Sequence, residues 1–129
     1  MLLIDGYNLL FCRTRISRDE LTAAREALIE RIAKYCKVSG LRATVIFDHT
    51  KGPPVYGIQS RRRLGSIEVR YTSQGVTADD EITGMVAGSN DRTAYTVVTT
   101  DRAIADAARK RHFEGIDSLG FHGEMDRVL

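Results

Sequence analysis

The 129-residue sequence lacks the features that mark membrane, secreted and metal-stapled proteins. No apolar run approaches the ~20 residues of a membrane-spanning helix, so no such helix and no membrane partner is predicted. The amino terminus has no basic segment ahead of a long apolar stretch, so no signal peptide is predicted. Cys12 and Cys36 match neither a zinc-site spacing nor a disulfide framework. These absences predict a cytoplasmic protein with reduced thiols.

Neither sign of charge dominates the chain, which has 19 Lys and Arg against 17 Asp and Glu. Its 43% hydrophobic and 28% charged residues are typical of a soluble globular protein. Repeats, low-complexity tracts and internal linkers are absent. We therefore expect one domain over residues 1–129, which is long enough to bury a core.

Buried runs and amphipathic stretches alternate along the chain. Strands are predicted at Leu2–Ile4, Ala43–Asp48, Ile67–Tyr71 and Ala94–Asp101. Helices are predicted after the N-caps Ser17 and Thr77, the first ending near Lys37 before Gly40, and over Arg102–His112. This alternation predicts an α/β fold with a mainly parallel sheet and the first strand at its centre.

The end of the chain carries weaker patterns. A last short strand is predicted at residues 116–121, and a final helix begins at Gly123. That helix has no cap before Leu129, so we expect the natural chain to continue further.

Four acids occupy positions where a parallel sheet gathers its chemistry. Asp5, Asp48 and Asp101 each end a predicted strand, and the carboxyl ends of parallel strands share one edge. Asp79 begins the helix after Thr77 on the side toward the sheet, whereas Asp80 should face solvent. Glu81 borders the buried stripe of the same helix and is held in reserve.

Clustered carboxylates repel one another unless a cation lies among them. Oxygen ligands suit Mg²⁺ or Mn²⁺, so we predict a site for one or two such ions at these four acids. Each acid alone could instead cap or turn the chain. Asn8 could orient Asp5 and a bound phosphate, or hold a local turn. Phosphodiester hydrolysis is the chemistry that needs this arrangement.

A long loop predicted over residues 49–63 ends in three consecutive arginines, Arg61, Arg62 and Arg63. With Lys51 they form the densest positive patch, and Arg13 and Arg15 follow another strand end. These six cations are candidate contacts for RNA phosphates, although a charge run can equally be a solvated surface. Tyr7 and Tyr56 could stack on bases of single-stranded RNA or belong to the core.

Four motifs occur in order along the chain: Asp5-Gly6-Tyr7-Asn8, Val45-Ile46-Phe47-Asp48, residues 77–82, and Thr99-Thr100-Asp101. Together they resemble the NYN family of PIN-like ribonucleases, and most of all its YacP-type bacterial branch. The resemblance implies a three-layer α/β/α PIN-like (flavodoxin-like) sandwich and a divalent-metal endoribonuclease that acts on RNA, with mRNA at the ribosome as one candidate substrate. It implies metal-site acids at Asp5, Asp79 and Asp101, with Asp48 beside them and Asn8 in support.

The chain departs from this family pattern at Ala105, where some relatives carry another acid. A second ion would therefore need RNA phosphate to complete its ligands. Two other functions stay open. A PIN-like fold could be a non-catalytic RNA- or ribosome-binding module. A small phosphatase or receiver-like domain would want a lysine after a late strand, where this chain has Arg102. The oligomeric state is not predicted.

Overall fold

The structure, a computed structural model, describes residues 1–49 and 61–129. In this part of the chain a mixed sheet has the strand order β3-β4-β2-β1-β5-β6. Its strands are β1 (Leu2–Asp5), β2 (Ala43–Phe47), β3 (Arg61–Leu64), β4 (Ile67–Tyr71), β5 (Thr96–Val98) and β6 (Glu114–Ile116). All neighbouring pairs are parallel except β3 with β4. The predicted α/β class with a mainly parallel sheet is confirmed.

Helices cover both faces of this sheet, which makes the three-layer sandwich that the resemblance implies. They are α1 (Gly6–Phe11), α2 (Leu21–Ser39), α3 (Ala78–Ala87), α4 (Arg102–Lys110) and α5 (Ser118–Val128). One apolar core joins the sheet to α1, α2 and α5, and a second joins it to α3 and α4. None of the helices in the described ranges is long and apolar enough to cross a membrane.

Strand β1 is central, as predicted, because β2 and β5 pair with it on its two sides. Leu3 faces the core under α3 and α4, and Ile4 faces the core under α1 and α2, so the strand is buried on both faces. Continuous apolar runs are typical of such strands. The strand therefore delivers Asp5 to the middle of the carboxyl edge of the sheet.

Two elements appear where the sequence predicted loop or turn. A local turn at Asn8 was one alternative after β1, but α1 begins there immediately. The arginine run, predicted as the end of a loop, forms β3 and pairs antiparallel with β4. A two-residue connection, Gly65-Ser66, joins these strands, and its glycine has φ 60°. Backbone pairing thus orders a segment whose own side chains show no apolar alternation.

The carboxyl-terminal third also differs from the predicted elements. The fourth predicted strand is only Thr96–Val98, since Asp101 caps α4 instead of ending the strand. The last strand lies at Glu114–Ile116 rather than over residues 116–121. The final helix begins at Ser118 rather than Gly123, because the Asp117 carboxylate accepts a hydrogen bond of 2.6 Å from the Gly120 amide.

Helix caps gave mixed results. Thr77 and Asp80 form the reciprocal capping box of α3, and Gly40 ends α2 with φ 68°, both as predicted. The capping box predicted at Ser17 is not formed, because the Ser17 hydroxyl donates to the Glu20 carboxylate at 2.5 Å. A short 3₁₀ turn follows Ser17, and α2 begins at Leu21.

Candidate active-site cleft

Two of the predicted acids line one cleft at the carboxyl edge of the sheet. Asp5 ends β1, Asn8 lies in α1, and Asp101 precedes α4. The cleft has a volume of about 290 Å³ and is lined by Asp5, Tyr7, Asn8, Phe11, Cys12, Thr100 and Asp101. Parallel pairing of β1 with β5 brings these distant parts of the sequence to one place.

Thr99 connects the two acidic positions of the cleft. The Asp101 amide donates to the Thr99 hydroxyl oxygen at 3.0 Å, so that oxygen acts as an acceptor there. The hydroxyl proton is then available to the Asp5 carboxylate, whose Oδ2 lies 3.3 Å away. Thr99 is buried, and we infer that it holds Asp5 in a defined orientation.

The Asn8 side chain is held through its carbonyl oxygen. That Oδ1 accepts from the Thr100 amide at 3.0 Å, from the Thr100 hydroxyl at 3.0 Å and from the Ser118 hydroxyl at 2.6 Å. A backbone N–H can only donate, so the atom facing it must be the oxygen rather than the NH₂ group. The structure therefore determines which way the Asn8 amide is turned.

Asp101 has the capping role that the sequence left open as an alternative. Its Oδ1 accepts from the Ile104 amide at 3.1 Å and so begins α4. A carboxylate has a second oxygen, so this cap is compatible with a further ligand on Oδ2. Asp101 is exposed, which leaves it accessible from the cleft.

The other two predicted ligands lie on neighbouring elements and are not among the described residues that line the cleft. Asp48 follows β2 and is buried, and Asp79 is half-buried in the first turn of α3. Within residues 1–49 and 61–129, no three His, Cys, Asp or Glu side chains are grouped closely enough to hold a metal ion. The structure therefore does not gather the four acids into one preformed cluster.

The adjacent acids of α3 differ in environment, as the helical periodicity predicts. Asp80 is exposed, and its carboxylate accepts from the Thr77 amide at 3.2 Å in the capping box. Asp79 and Glu81 are both half-buried. The helical cap thus accounts for Asp80 without a role in the cleft.

The three arginines of β3 point to both faces of the sheet. Arg62 pairs with Glu26 of α2 at 2.9 Å, which raises the pKa of its guanidinium. Arg61 and Arg63 lie on the other face, where each is 3.9 Å from Glu68. Their side chains are 68% and 65% exposed, so they remain available to an anionic ligand.

Glu68 is shared among three guanidinium groups, because Arg70 also pairs with it at 2.5 Å. The hydrogen bond from Arg70 is the main cause that lowers the pKa of the Glu68 carboxyl. One carboxylate among three guanidiniums leaves this face of the β3 edge positively charged. Antiparallel pairing opposes Arg61 to Arg70, which brings Arg61 closest to the carboxyl edge of the sheet.

The other predicted phosphate contacts lie elsewhere. Arg13 is exposed and pairs with Asp126 of α5 at 2.6 Å. Arg15 is exposed, and Lys51 lies outside the described residues. Strand β3 is three strands from β1, about 14 Å at the usual spacing, so Arg13 and the arginine run belong to separate patches.

The sequence missed Phe11 as a residue of the cleft. Phe11 is 42% exposed and stacks on Tyr7, with 5.7 Å between ring centroids. Tyr7, predicted either to stack on bases or to join the core, is 97% buried, and its hydroxyl oxygen accepts a 3.1 Å hydrogen bond from the Arg25 guanidinium. The sequence signal that could have identified Phe11 is an aromatic residue on the solvent side of a helix beside the predicted acids. Tyr56 lies outside the described residues.

Cys12 is the thiol of the cleft. Burial is the main cause that raises its pKa, and its Sγ donates to the Leu9 carbonyl oxygen at 3.3 Å. A thiol with a raised pKa is a poor nucleophile at neutral pH. The chemistry of the cleft therefore rests on oxygen and amide groups.

Comparisons with known proteins agree with this architecture. The family model described as "YacP-like NYN domain" matches residues 2–128. The YacP protein of Bacillus subtilis strain 168, whose name states that it is uncharacterized, is 30% identical over 105 residues. That alignment covers 78% of this chain and 60% of the relative, so the chain spans less than two thirds of that protein.

Two solved structures share the fold. The crystal structure of Rae1 (YacP) from Bacillus subtilis is 25% identical, with a TM-score of 0.79, covering 99% of this chain and 74% of that one. A tryptophan-to-leucine mutant of the same protein is 24% identical with a TM-score of 0.75, covering 98% and 75%. The PIN-like sandwich expected from the motifs is thereby confirmed. The chain is a member of the YacP-like NYN domain family.

Proposed function

We propose that this chain is a divalent-metal-dependent endoribonuclease that hydrolyses single-stranded RNA, with mRNA at the ribosome as a candidate substrate. The observation that carries the proposal is the convergence of Asp5, Asn8 and Asp101 on one cleft. Asp101 is more than 90 residues from Asp5 and Asn8 in the sequence, and the three belong to two of the motifs that resemble NYN ribonucleases. Membership of the YacP-like family supports the same activity.

The donor set of the cleft suits Mg²⁺ or Mn²⁺ in chemistry. Asp5 and Asp101 would hold such an ion through carboxylate oxygens, and water and RNA phosphate would supply the remaining ligands, as Mg²⁺ commonly requires. Asp48 and Asp79 remain proposed ligands from the neighbouring elements, and variants at each test them separately. A bound ion would lower the pKa of the attacking water and offset charge on the phosphate.

The protein's own groups would orient the reactants. Thr99 holds Asp5, and the anchored Asn8 carboxamide presents its NH₂ group as a donor for a phosphate oxygen. Phe11 offers an exposed ring on which an unpaired base can stack, which favours single-stranded RNA. Arg61 and Arg63 would contact phosphates further along the strand.

Cleavage of a labelled single-stranded RNA with Mn²⁺, with Mg²⁺ and with EDTA tests this proposal. Asp5→Asn and Asp101→Asn should each lower cleavage by about 100-fold or more, because each removes a charged ligand. Asp106→Asn is the matched control, since Asp106 pairs with the exposed Arg109 and lies outside the cleft. Retained cleavage in Asp5→Asn would overturn the site assignment.

A non-catalytic RNA-binding module is the second candidate. It is favoured by the lack of a three-ligand group in the described part of the chain. In that case the wild-type protein would bind RNA equally with Mn²⁺ and with EDTA, and would leave it uncut. Calorimetric titration with Mn²⁺ alone gives an independent readout, because Asp5→Asn should weaken any heat of binding that the wild-type protein shows.

A further inference from the structure

A row of polar contacts ties α5 to the segment that carries Asn8. Ser118, His122 and Asp126 are spaced four residues apart, so they lie along one side of α5. Their partners, in the same order, are the Asn8 side chain at 2.6 Å, the Leu9 carbonyl oxygen at 2.7 Å and the Arg13 guanidinium at 2.6 Å. Helix α5 is thus attached to α1 and to the segment after it by three polar contacts.

Ser118 is the member of this row that reaches the cleft. Its side chain is completely buried, and its hydroxyl makes the shortest of the three hydrogen bonds to Asn8 Oδ1. The other two come from Thr100. Because the Thr100 amide identifies Oδ1 as the oxygen, the NH₂ group is the other branch of the planar carboxamide and is not the group that these three donors contact. Asn8 itself lines the cleft with Asp5 and Asp101.

We propose that Ser118 is a positioning residue of the active site. Its hydroxyl anchors the Asn8 carbonyl oxygen from α5, so that the Asn8 NH₂ group is presented to a phosphate oxygen of the RNA. The inference rests on the proposed function, and it assigns the carboxyl-terminal helix a direct part in the site. Asn8 Oδ1 accepts three hydrogen bonds, so rotation of the amide would break all three at once.

Ser118→Ala removes the hydroxyl and leaves the helix. We expect kcat to fall about tenfold, the effect typical of losing a partner that orients an active-site ligand. KM should stay within about twofold, because binding contacts are otherwise intact. Ser66→Ala is the matched control: its hydroxyl is also buried, lacks a partner among the described residues and lies in the β3–β4 turn. An unchanged kcat in Ser118→Ala would overturn the inference.

Asn8→Asp separates the two ends of the side chain. The carboxylate can still accept from Ser118 and Thr100, so the fold should hold, while repulsion from Asp5 and Asp101 should lower the melting temperature in EDTA. The NH₂ donor is gone, so kcat should fall strongly, and adding Ser118→Ala should lower the residual kcat no further. Full additivity of the two substitutions in kcat would contradict a shared role.

The side-chain NH₂ resonances of Asn8 in a ¹⁵N spectrum give a readout independent of turnover. In the wild-type protein they should shift when RNA is added in EDTA, and in Ser118→Ala that shift should be reduced. If the wild-type protein binds RNA without cutting it, the proposed activity fails. The resonances still test whether Ser118 positions Asn8. An equal shift in the wild-type protein and in Ser118→Ala would overturn that inference. If RNA is neither bound nor cut, both proposals fail.

Discussion

Gly6 is the position where one added methyl group should have the clearest structural effect. A Cβ at residue 6 would lie 2.6 Å from two ring carbons of Phe47, whereas carbon atoms normally approach to about 3.5–4.0 Å. Phe47 is fully buried, and Tyr7 and Tyr71 hold its ring at centroid distances of 4.9 and 5.7 Å. The ring is enclosed by the core, so moving it away from an added Cβ would disturb these neighbours.

Gly6→Ala should destabilise the protein. Overpacking a core typically costs about 1–3 kcal/mol, and the helix propensity of alanine at the first residue of α1 recovers under about 1 kcal/mol. At about 2 cal/mol/K of unfolding entropy per residue, 1 kcal/mol corresponds to about 4 °C, so the melting temperature should fall by about 2–10 °C. Thermal melting followed by circular dichroism measures this.

Gly84→Ala makes the same chemical change in an open environment. Apart from its chain neighbours and the local backbone of α3, no heavy atom of the described residues lies within 4 Å of the added Cβ, and Gly84 is exposed inside α3. This variant should gain about 0.5–1 kcal/mol from helix propensity, a rise of about 2–4 °C. If Gly6→Ala and Gly84→Ala shift the melting temperature alike, close contact with Phe47 does not explain the glycine. Under the proposed function, Gly6→Ala should also lower cleavage, since it displaces the segment between Asp5 and Asn8.

Three further predictions use the acids and arginines around the site. Asp79→Asn should lower RNA cleavage at least about tenfold if Asp79 is a ligand, whereas Asp80→Asn should retain cleavage and lower stability by about 0.5–1 kcal/mol through the weakened cap. Equal cleavage in the two variants would remove Asp79 from the site. Replacing Arg61 and Arg63 by Gln should weaken RNA binding and reduce its salt dependence, measured by fluorescence anisotropy at several salt concentrations. If the slope of affinity against salt concentration is unchanged, the two arginines do not contact RNA phosphates. Two arginines hold the pKa of Asp126 at about 2, below its ordinary value of 3.8, so its contribution to stability is complete above about pH 4 and is lost as the pH falls toward 2. The stability of the Asp126→Asn variant should therefore depend less on pH in that window, which acid denaturation followed by fluorescence or circular dichroism measures. An identical pH dependence in the variant and the wild-type protein would contradict the pairing.

Features that depend on neighbours in sequence were predictable. The parallel strands after Leu2 and Ala43 follow from continuous apolar runs, and the acids that follow them lie at the carboxyl edge. The capping box of Thr77 and the glycine end of α2 follow from contacts within one helical turn. The resemblance to NYN proteins was carried by the same short segments. Each strand run, cap and motif is determined by residues close together in the chain.

Features that depend on partners distant in the sequence could not be predicted. Strand β3 has no apolar alternation, and it is a strand because β4 supplies its hydrogen bonds. Asp101 was expected to end a strand, but its carboxylate begins α4. Helix α5 was predicted to start five residues too late. Its cap, Asp117, directly follows β6, and the sequence had predicted that strand over residues 116–121, where α5 begins.

By itself the sequence determined the alternation of the main strands and helices, the family, and Asp5 as an acid at the end of a buried central strand, because burial and periodicity are local properties. Only the tertiary structure decided which groups share the cleft. It placed Asp5 and Asp101 there, left Asp48 and Asp79 on neighbouring elements, and brought Ser118 to Asn8 across 110 residues of chain. Side chains so far apart in sequence meet only where the strands and helices between them have packed.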